Sequence, residues 1–151
     1  MLAVSSCLLG CDCKYNGGNN EDERIIKLSE VKPVIPICPE KLGQLPIPRP
    51  PAEIRNGDGA DVLDGKARVV NKQGKDVTNE FIEGAYQALQ QIRMNGITTA
   101  VLKSRSPSCG KGRIYTGDFS GELKDGHGVT TALFKRNGIQ VYTEEDIEKL
   151  L

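Results

Sequence analysis

The sequence predicts an α/β fold, a single-domain, mostly parallel sheet flanked by helices in a Rossmann-like three-layer sandwich, and three observations carry that expectation. Short apolar runs (LAVSS at 2–6, VIPIC at 34–38, ITTAVL at 97–102, IQVY at 139–142) recur along the chain. Segments of helical period lie between them, an alternation that argues for parallel strands joined by covering helices. The length of 151 residues suits one domain, with 38% hydrophobic and 26% charged residues as in ordinary globular proteins.

Taken in order, residues 2–6 form a small-residue apolar strand leading into Cys7. The Gly-, Asn- and Asp-rich stretch from Gly10 to Asn20 reads as a loop. Ile25, Ile26, Leu28 and Val31 suggest a short helix that ends before Pro33, because proline disfavours helix in the residue before it. Residues 34–38 give a second strand, in which Pro36 marks an edge or an irregularity. Five prolines (Pro39, Pro46, Pro48, Pro50, Pro51) make 39–51 a stiff, polyproline-like loop with no regular element expected.

Residues 56–68 read as another loop, followed by a short strand around Val69 and Val70. The clearest helix comes next, with Thr78 or Asn79 as its cap, Phe81, Ile82, Ala85, Leu89 and Ile92 at helical spacing, and Gly96 as its stop. A buried-type strand at 97–102 precedes a Ser-, Pro- and Gly-containing loop. A helix follows from Gly128 to near Gly138, then a last strand at 139–142. Thr143 caps a terminal helix, TEEDIEKLL, through a Thr-x-x-Asp pattern. No repeat, low-complexity tract or linker divides the chain, so 1–151 is read as one domain.

Twenty basic and 20 acidic residues cancel, which removes the basic footprint of a nucleic-acid-binding domain. No apolar run approaches the roughly 20 residues that span a bilayer. The start, MLAVSSCLLGC, lacks the charged region of a signal peptide. A cytoplasmic location with reduced thiols is the expectation, and no membrane partner is expected. Nothing in the sequence speaks to the oligomeric state.

Five cysteines are an odd set for a disulfide framework. Cys7, Cys38 and Cys109 each follow a predicted strand, although 31 and 71 positions separate them (7 to 38, 38 to 109). A parallel sheet gathers the carboxyl ends of its strands, where ligands bind, so the three thiols are expected to meet. A lone cysteine is more often a small buried hydrophobe. These three, however, stand in Cys7-Leu8-Leu9-Gly10, Cys38-Pro39-Glu40 and Ser106-Pro107-Ser108-Cys109-Gly110. Gly and Pro beside cysteine suit backbone that approaches a bulky inorganic centre. Cys11 and Cys13 lie near Cys7, but no CxxC pair exists and zinc-ribbon spacing is absent. Three distant thiolates suit an iron–sulfur cluster better than zinc, and on four irons they leave one open.

Other motifs are weaker. Gly110-Lys111-Gly112 lacks the flanking residues of a phosphate loop. Asp58, Asp61 and Asp64 do not have the spacing of a calcium loop and read as solvated turn residues. His127, the only histidine, has no ligand-spaced partner and makes no triad with the 104–108 serines.

The same segments carry a family resemblance. SSCLLG with Cys-Lys-Tyr-Asn-Gly, PICPE with PRPPAEI, KDVTNEFIEGA, and LKSRSPSCG with GRIYTG resemble the thiouracil desulfidase family, from Ser5 to about the chain's end. Where many members have Arg-Tyr-Asp-Gly, this chain reads Lys14-Tyr15-Asn16-Gly17. The resemblance implies a [4Fe-4S] cluster on Cys7, Cys38 and Cys109, whose unique iron takes the sulfur of a thiolated base or nucleoside. It also implies release of the oxo base and hydrosulfide, with Glu40 and Ser106 as the catalytic glutamate and serine. The chemistry is coherent on its own terms. A thiocarbonyl sulfur is a soft ligand, Glu40 is placed to move a proton, and Ser106 to hydrogen-bond the ring or the water. Two other readings stand beside it. One is a zinc-binding interaction module whose 39–51 loop engages a partner without catalysis. The other is a thiol redox protein using Cys11 and Cys13.

Overall fold

The structure is a computed structural model that describes residues 1–150. Four parallel strands, β1 (Leu2–Ser5), β2 (Val34–Ile37), β5 (Thr99–Leu102) and β8 (Gln140–Thr143), form its central sheet in the order β2-β1-β5-β8. The expected parallel sheet is present, and β2, the strand that contains Pro36, is an edge strand. Chain order reverses across β1: β2 lies on one side of it and β5 on the other. That is a topological switch point, where the crevice beyond the strand ends opens.

Alternation along the strands sorts the two faces. Ala3, Ile37, Ala100, Leu102 and Val141 pack with Phe81, Leu89 and Ile92 of α4 (Thr78–Met94) and Leu133 and Phe134 of α5 (Val129–Arg136). Leu2, Val4 and Val101 face Ile25 and Leu28 of α1 (Glu23–Val31), together with Ile147. Helices thus cover both faces, as the three-layer expectation requires. Each fully buried large side chain in these clusters is worth about 1.5–3 kcal/mol against exposure.

Several elements depart from the expectation. Pro39–Leu42 forms one turn of helix, α2, inside the stretch expected to be irregular. Proline is tolerated at the first helical position because its missing N–H has no intrahelical partner there. The 56–68 stretch contains α3 (Gly59–Leu63). Asp58 is its cap, accepting from the Asp61 N–H while the Asp61 carboxylate accepts from the Asp58 N–H, so these aspartates form a capping box rather than solvated turns. Val77, not Thr78 or Asn79, precedes the first turn of α4, and the Thr78 hydroxyl accepts from the Val69 N–H instead.

Two small antiparallel sheets were not anticipated as such. One pairs β3 (Ala52–Arg55) with β4 (Arg68–Asn71), and the other pairs β6 (Arg113–Tyr115) with β7 (Leu123–Asp125). The C-terminal segment Glu144–Leu150 is 3-10 helix rather than α-helix, yet its Thr143–Asp146 cap is as read. The Thr143 hydroxyl accepts from the Glu145 N–H, and the Asp146 carboxylate accepts from the Thr143 N–H. Leu151, the last residue of the expected terminal helix, lies outside the described residues.

One contact fixes the position of α2. It rests on α4 backbone to backbone, through two glycines. A Cβ on Gly84 would lie 1.9 Å from the Pro39 carbonyl oxygen, and one on Gly43 would lie 2.1 Å from that of Glu80.

Candidate active site

The switch point gathers the three cysteines. Register aligns Ser5 with Ile37, so β1 and β2 end level; Cys38 follows directly and Cys7 comes one residue further on, after Ser6. Val4 lies opposite Val101 on β5, whose continuation donates the Lys103 N–H to the Ser5 hydroxyl at 2.9 Å. Beyond these ends is a cavity of about 430 Å³ lined by Cys7, Cys38, Cys109, Glu40 and Ser106. Every residue expected at the site therefore lines one cavity. Cys13 lines it too, whereas Cys11 is exposed outside it. His127 is also absent from its walls; its Nδ1 accepts from the Gly112 N–H at 2.9 Å.

The donor set fits a polynuclear centre. Three thiols, from Cys7, Cys38 and Cys109, line one cavity of about 430 Å³, and among the described residues no three His, Cys, Asp or Glu side chains close on a single ion position. Burial pushes the Cys7 thiol up, and the neighbouring Cys38 adds to that. Burial likewise pushes Cys109 up, with Cys7, Glu40 and Cys38 as further opposing neighbours. Cys38 is brought down to about 7 by the Cys13 thiol, against the cost of burial and aided by the Lys41 backbone N–H at the α2 start. Burial thus favours neutral thiols at Cys7 and Cys109, and only a positive centre between the three sulfurs would hold them together as thiolates in so poorly solvated a cavity. The Asn20 side chain beside Cys7 and the Ser5 hydroxyl beside Cys109 act the other way and favour the thiolate at each, as outer partners of sulfur ligands do.

The Ser106–Cys109 loop is held from within. The Ser106 hydroxyl oxygen accepts from the N–H groups of Ser108 and Cys109 at 3.1 and 3.0 Å. Both bonds use the oxygen's lone pairs and leave its proton free to donate. Thr131 of α5 donates to the Cys109 carbonyl at 2.7 Å, which ties the loop to the helix.

The chain matches the model of a family described as 2-thiouracil desulfurase over residues 2–146. It is 45% identical over 151 residues to an uncharacterized protein, YbbK, of Bacillus subtilis (strain 168), covering 100% of both chains. It also superposes on a solved structure described as a [4Fe-4S]-dependent thiouracil desulfidase, TudS. That match has a TM-score of 0.86 and 43% identity over 99% of this chain and 93% of that one. The chain belongs to the 2-thiouracil desulfurase family.

Around the cavity, this desulfurase-family chain places residues that its sequence did not single out. Tyr15, Tyr115 and Phe119 line it, three of only seven aromatic residues in the chain. Phe119 has φ of 55°, a left-handed conformation unusual for a bulky residue. Buried Glu53 of β3 holds it there, one carboxylate oxygen accepting from the N–H groups of Gly117 and Phe119 at 2.9 and 3.1 Å. Flat aromatic walls are suited to a planar heterocycle. Tyr15 and Tyr115 lie within the resemblance motifs but nothing local marked them as cavity walls, and Phe119 comes to the cavity through the contacts of the 113–125 hairpin with β3 and with the Arg105 loop.

Lys103 also lines the cavity, and it is one partner of Glu144. That carboxylate accepts from Lys103 Nζ at 2.9 Å and from the Ser104 N–H and hydroxyl at 2.8 Å each. Burial pushes Glu144 up, but Lys103 and Ser104 outweigh it and hold the group below its usual range. A depressed carboxylate contributes stability above its ordinary value, near pH 4, and that stability is lost as pH falls through the native value. Glu144→Gln is therefore expected to lower the unfolding midpoint at pH 7, with a gap that narrows below about pH 4. Thermal melts at both pH values check this, and an equal gap at both contradicts it.

Proposed function

We propose that the protein is an iron–sulfur-dependent desulfidase acting on a thiolated pyrimidine base or nucleoside, converting thiouracil to uracil with release of hydrosulfide. The observation that carries this reading is one cavity lined by Cys7, Cys38, Cys109, Glu40 and Ser106. Membership of the 2-thiouracil desulfurase family and the likeness to a [4Fe-4S]-dependent thiouracil desulfidase support it.

Cys7, Cys38 and Cys109 are the residues that would hold a [4Fe-4S] cluster. When bound, such a cluster supplies a Lewis-acidic iron without a protein thiolate, suited to a soft thiocarbonyl sulfur. The chain's own residues do the rest. Glu40 sits on α2 with 23% of its side chain exposed, and burial, opposed by Arg49, pushes its carboxyl above the usual range. A carboxyl tuned upward holds and releases a proton more readily than an ordinary glutamate. Its proton goes to a ring nitrogen or comes from the attacking water. The free Ser106 proton is donated to the ring or to that water. Tyr15, Tyr115 and Phe119 flank the plane of the heterocycle and exclude bulk water.

Residues 1–151 act as one desulfidase domain, and the site of action is the cytoplasm. Among the described residues no helix is long and apolar enough to cross a membrane. The zinc-module alternative needs a free proline-rich loop, yet Arg49 in that loop is buried and its backbone N–H donates to the Tyr15 carbonyl at 2.7 Å.

The test is anaerobic reconstitution followed by turnover of thiouracil, with uracil and hydrosulfide measured. Glu40→Gln is expected to lower kcat by about 10²- to 10⁴-fold with iron content unchanged. A reconstituted protein that binds no iron, or a Glu40→Gln variant with full turnover, contradicts the reading.

A further inference from the structure

Arg49 sits in the proline-rich stretch between α2 and β3, and sequence reasoning gave it no role. Its side chain is 4% exposed and lines the same cavity as the cysteines. Nη2 donates to the Cys13 carbonyl at 3.1 Å, and Nη1 donates to the Pro46 carbonyl at 3.2 Å. These bonds, with the backbone bond to Tyr15, staple the 13–15 loop to the proline-rich loop. The staple makes no use of Nε. That atom is the one buried side-chain nitrogen or oxygen without a hydrogen-bond partner among the described residues. It lies 3.6 Å from Glu40 Oε1.

We infer that Arg49 is a positioning residue for Glu40, its clamped guanidinium presenting Nε to the carboxylate and fixing where that carboxylate stands in the cavity. The inference rests on the desulfidase reading, in which Glu40 moves the proton. Its physical basis is the planarity of guanidinium. With both Nη groups held by carbonyls, the Nε edge has a set direction, and a single carboxylate oxygen, Glu40 Oε1, lies 3.6 Å from it. A buried cation without a countercharge is costly, and Glu40 is the carboxylate that offsets that cost here. Lysine offers a point charge and no fixed edge.

A double-mutant cycle tests the inference on the anaerobically reconstituted protein. In the parent, Arg49→Met is expected to lower kcat about 10- to 100-fold with KM changed less than about threefold. In the Glu40→Gln background the same change is expected to cost less than about threefold, because no carboxylate is left to position. Iron content and the visible spectrum should match the background in each case. The midpoint shifts of the two single variants should likewise fail to add in denaturant unfolding, a readout that needs no substrate.

Equal kcat losses in both backgrounds overturn the inference, since Arg49 would then act independently of Glu40. If Arg49→Met loses iron, Arg49→Lys takes its place in the cycle. Retained iron with a kcat loss confined to the Glu40 background supports the inference, and iron loss there too overturns it in favour of a purely structural staple. Additive midpoint shifts also overturn it. A parent that fails to turn over thiouracil while the shifts remain non-additive refutes the desulfidase reading and leaves the Arg49–Glu40 coupling standing.

Discussion

Cys38→Ala, reconstituted anaerobically, is expected to hold far less than the about four irons of a full cluster and to convert no thiouracil above background. Cys38 has two parts to play at once. It follows β2 directly, and it caps α2, the turn that carries Glu40. Its thiol is also the one whose surroundings favour the thiolate, through Cys13 and the Lys41 backbone N–H. Removing it leaves Cys7 and Cys109, both pushed up by burial, with no third donor from the edge strand. Cys11→Ser is the control, because Cys11 is exposed outside the cavity and its loss should leave iron and turnover intact. Full iron and colour in the Cys38→Ala protein would show that the thiols hold the metal in some other combination.

Gly84→Ala is expected to reverse the ordinary sign of its kind. In a helix interior, alanine is normally favoured over glycine by roughly 0.5–1 kcal/mol. Here the added methyl would stand 1.9 Å from the Pro39 carbonyl oxygen and 3.0 Å from the Gly43 nitrogen. Neither is the end of a flexible side chain, so α2 must move away from α4. Overpacking of this sort costs about 1–3 kcal/mol or more. For a chain of this size each kcal/mol lowers Tm by about 2–4 °C. Because α2 carries Glu40 and begins at Cys38, the displacement reaches the cavity, although Gly84 does not line it. Turnover and iron content should fall along with Tm. An alanine variant as stable and as active as the parent would mean that the two helices do not depend on this contact.

The central sheet was legible because its strands are continuous apolar runs, and α4 because five apolar residues repeat on one face. Parallel topology then placed Cys7, Cys38 and Cys109 together, since it gathers strand ends whatever their separation in sequence. The rest was hidden for identifiable reasons. The turn α2 lies in a proline-dense stretch, where only the tolerance of proline at the first helical position allows it. A Gly- and Asp-rich segment conceals α3, although Asp58 and Asp61 were present with capping-box spacing. The strands β6 and β7 are three residues each, too short for alternation to register. Arg49, Glu53 and Phe119 reach the site by tertiary contact alone. No residue next to Arg49 in sequence announces that its guanidinium meets the Cys13 carbonyl, 36 positions away.

The strand order also sets a timetable for biosynthesis. Cys7, Cys11, Cys13 and Cys38 leave the ribosome early, while Cys109 follows 71 residues after Cys38, an interval of several seconds at about 5–20 residues per second. Until β5 is made, β1 lacks one of its two neighbours, and the nascent chain offers four thiols with nothing to select among them. Any thiophilic ion bound at that stage would be bound before the three-thiol site exists. The complete three-cysteine set therefore exists only once β5 and the loop that follows it have been made and β5 has paired with β1.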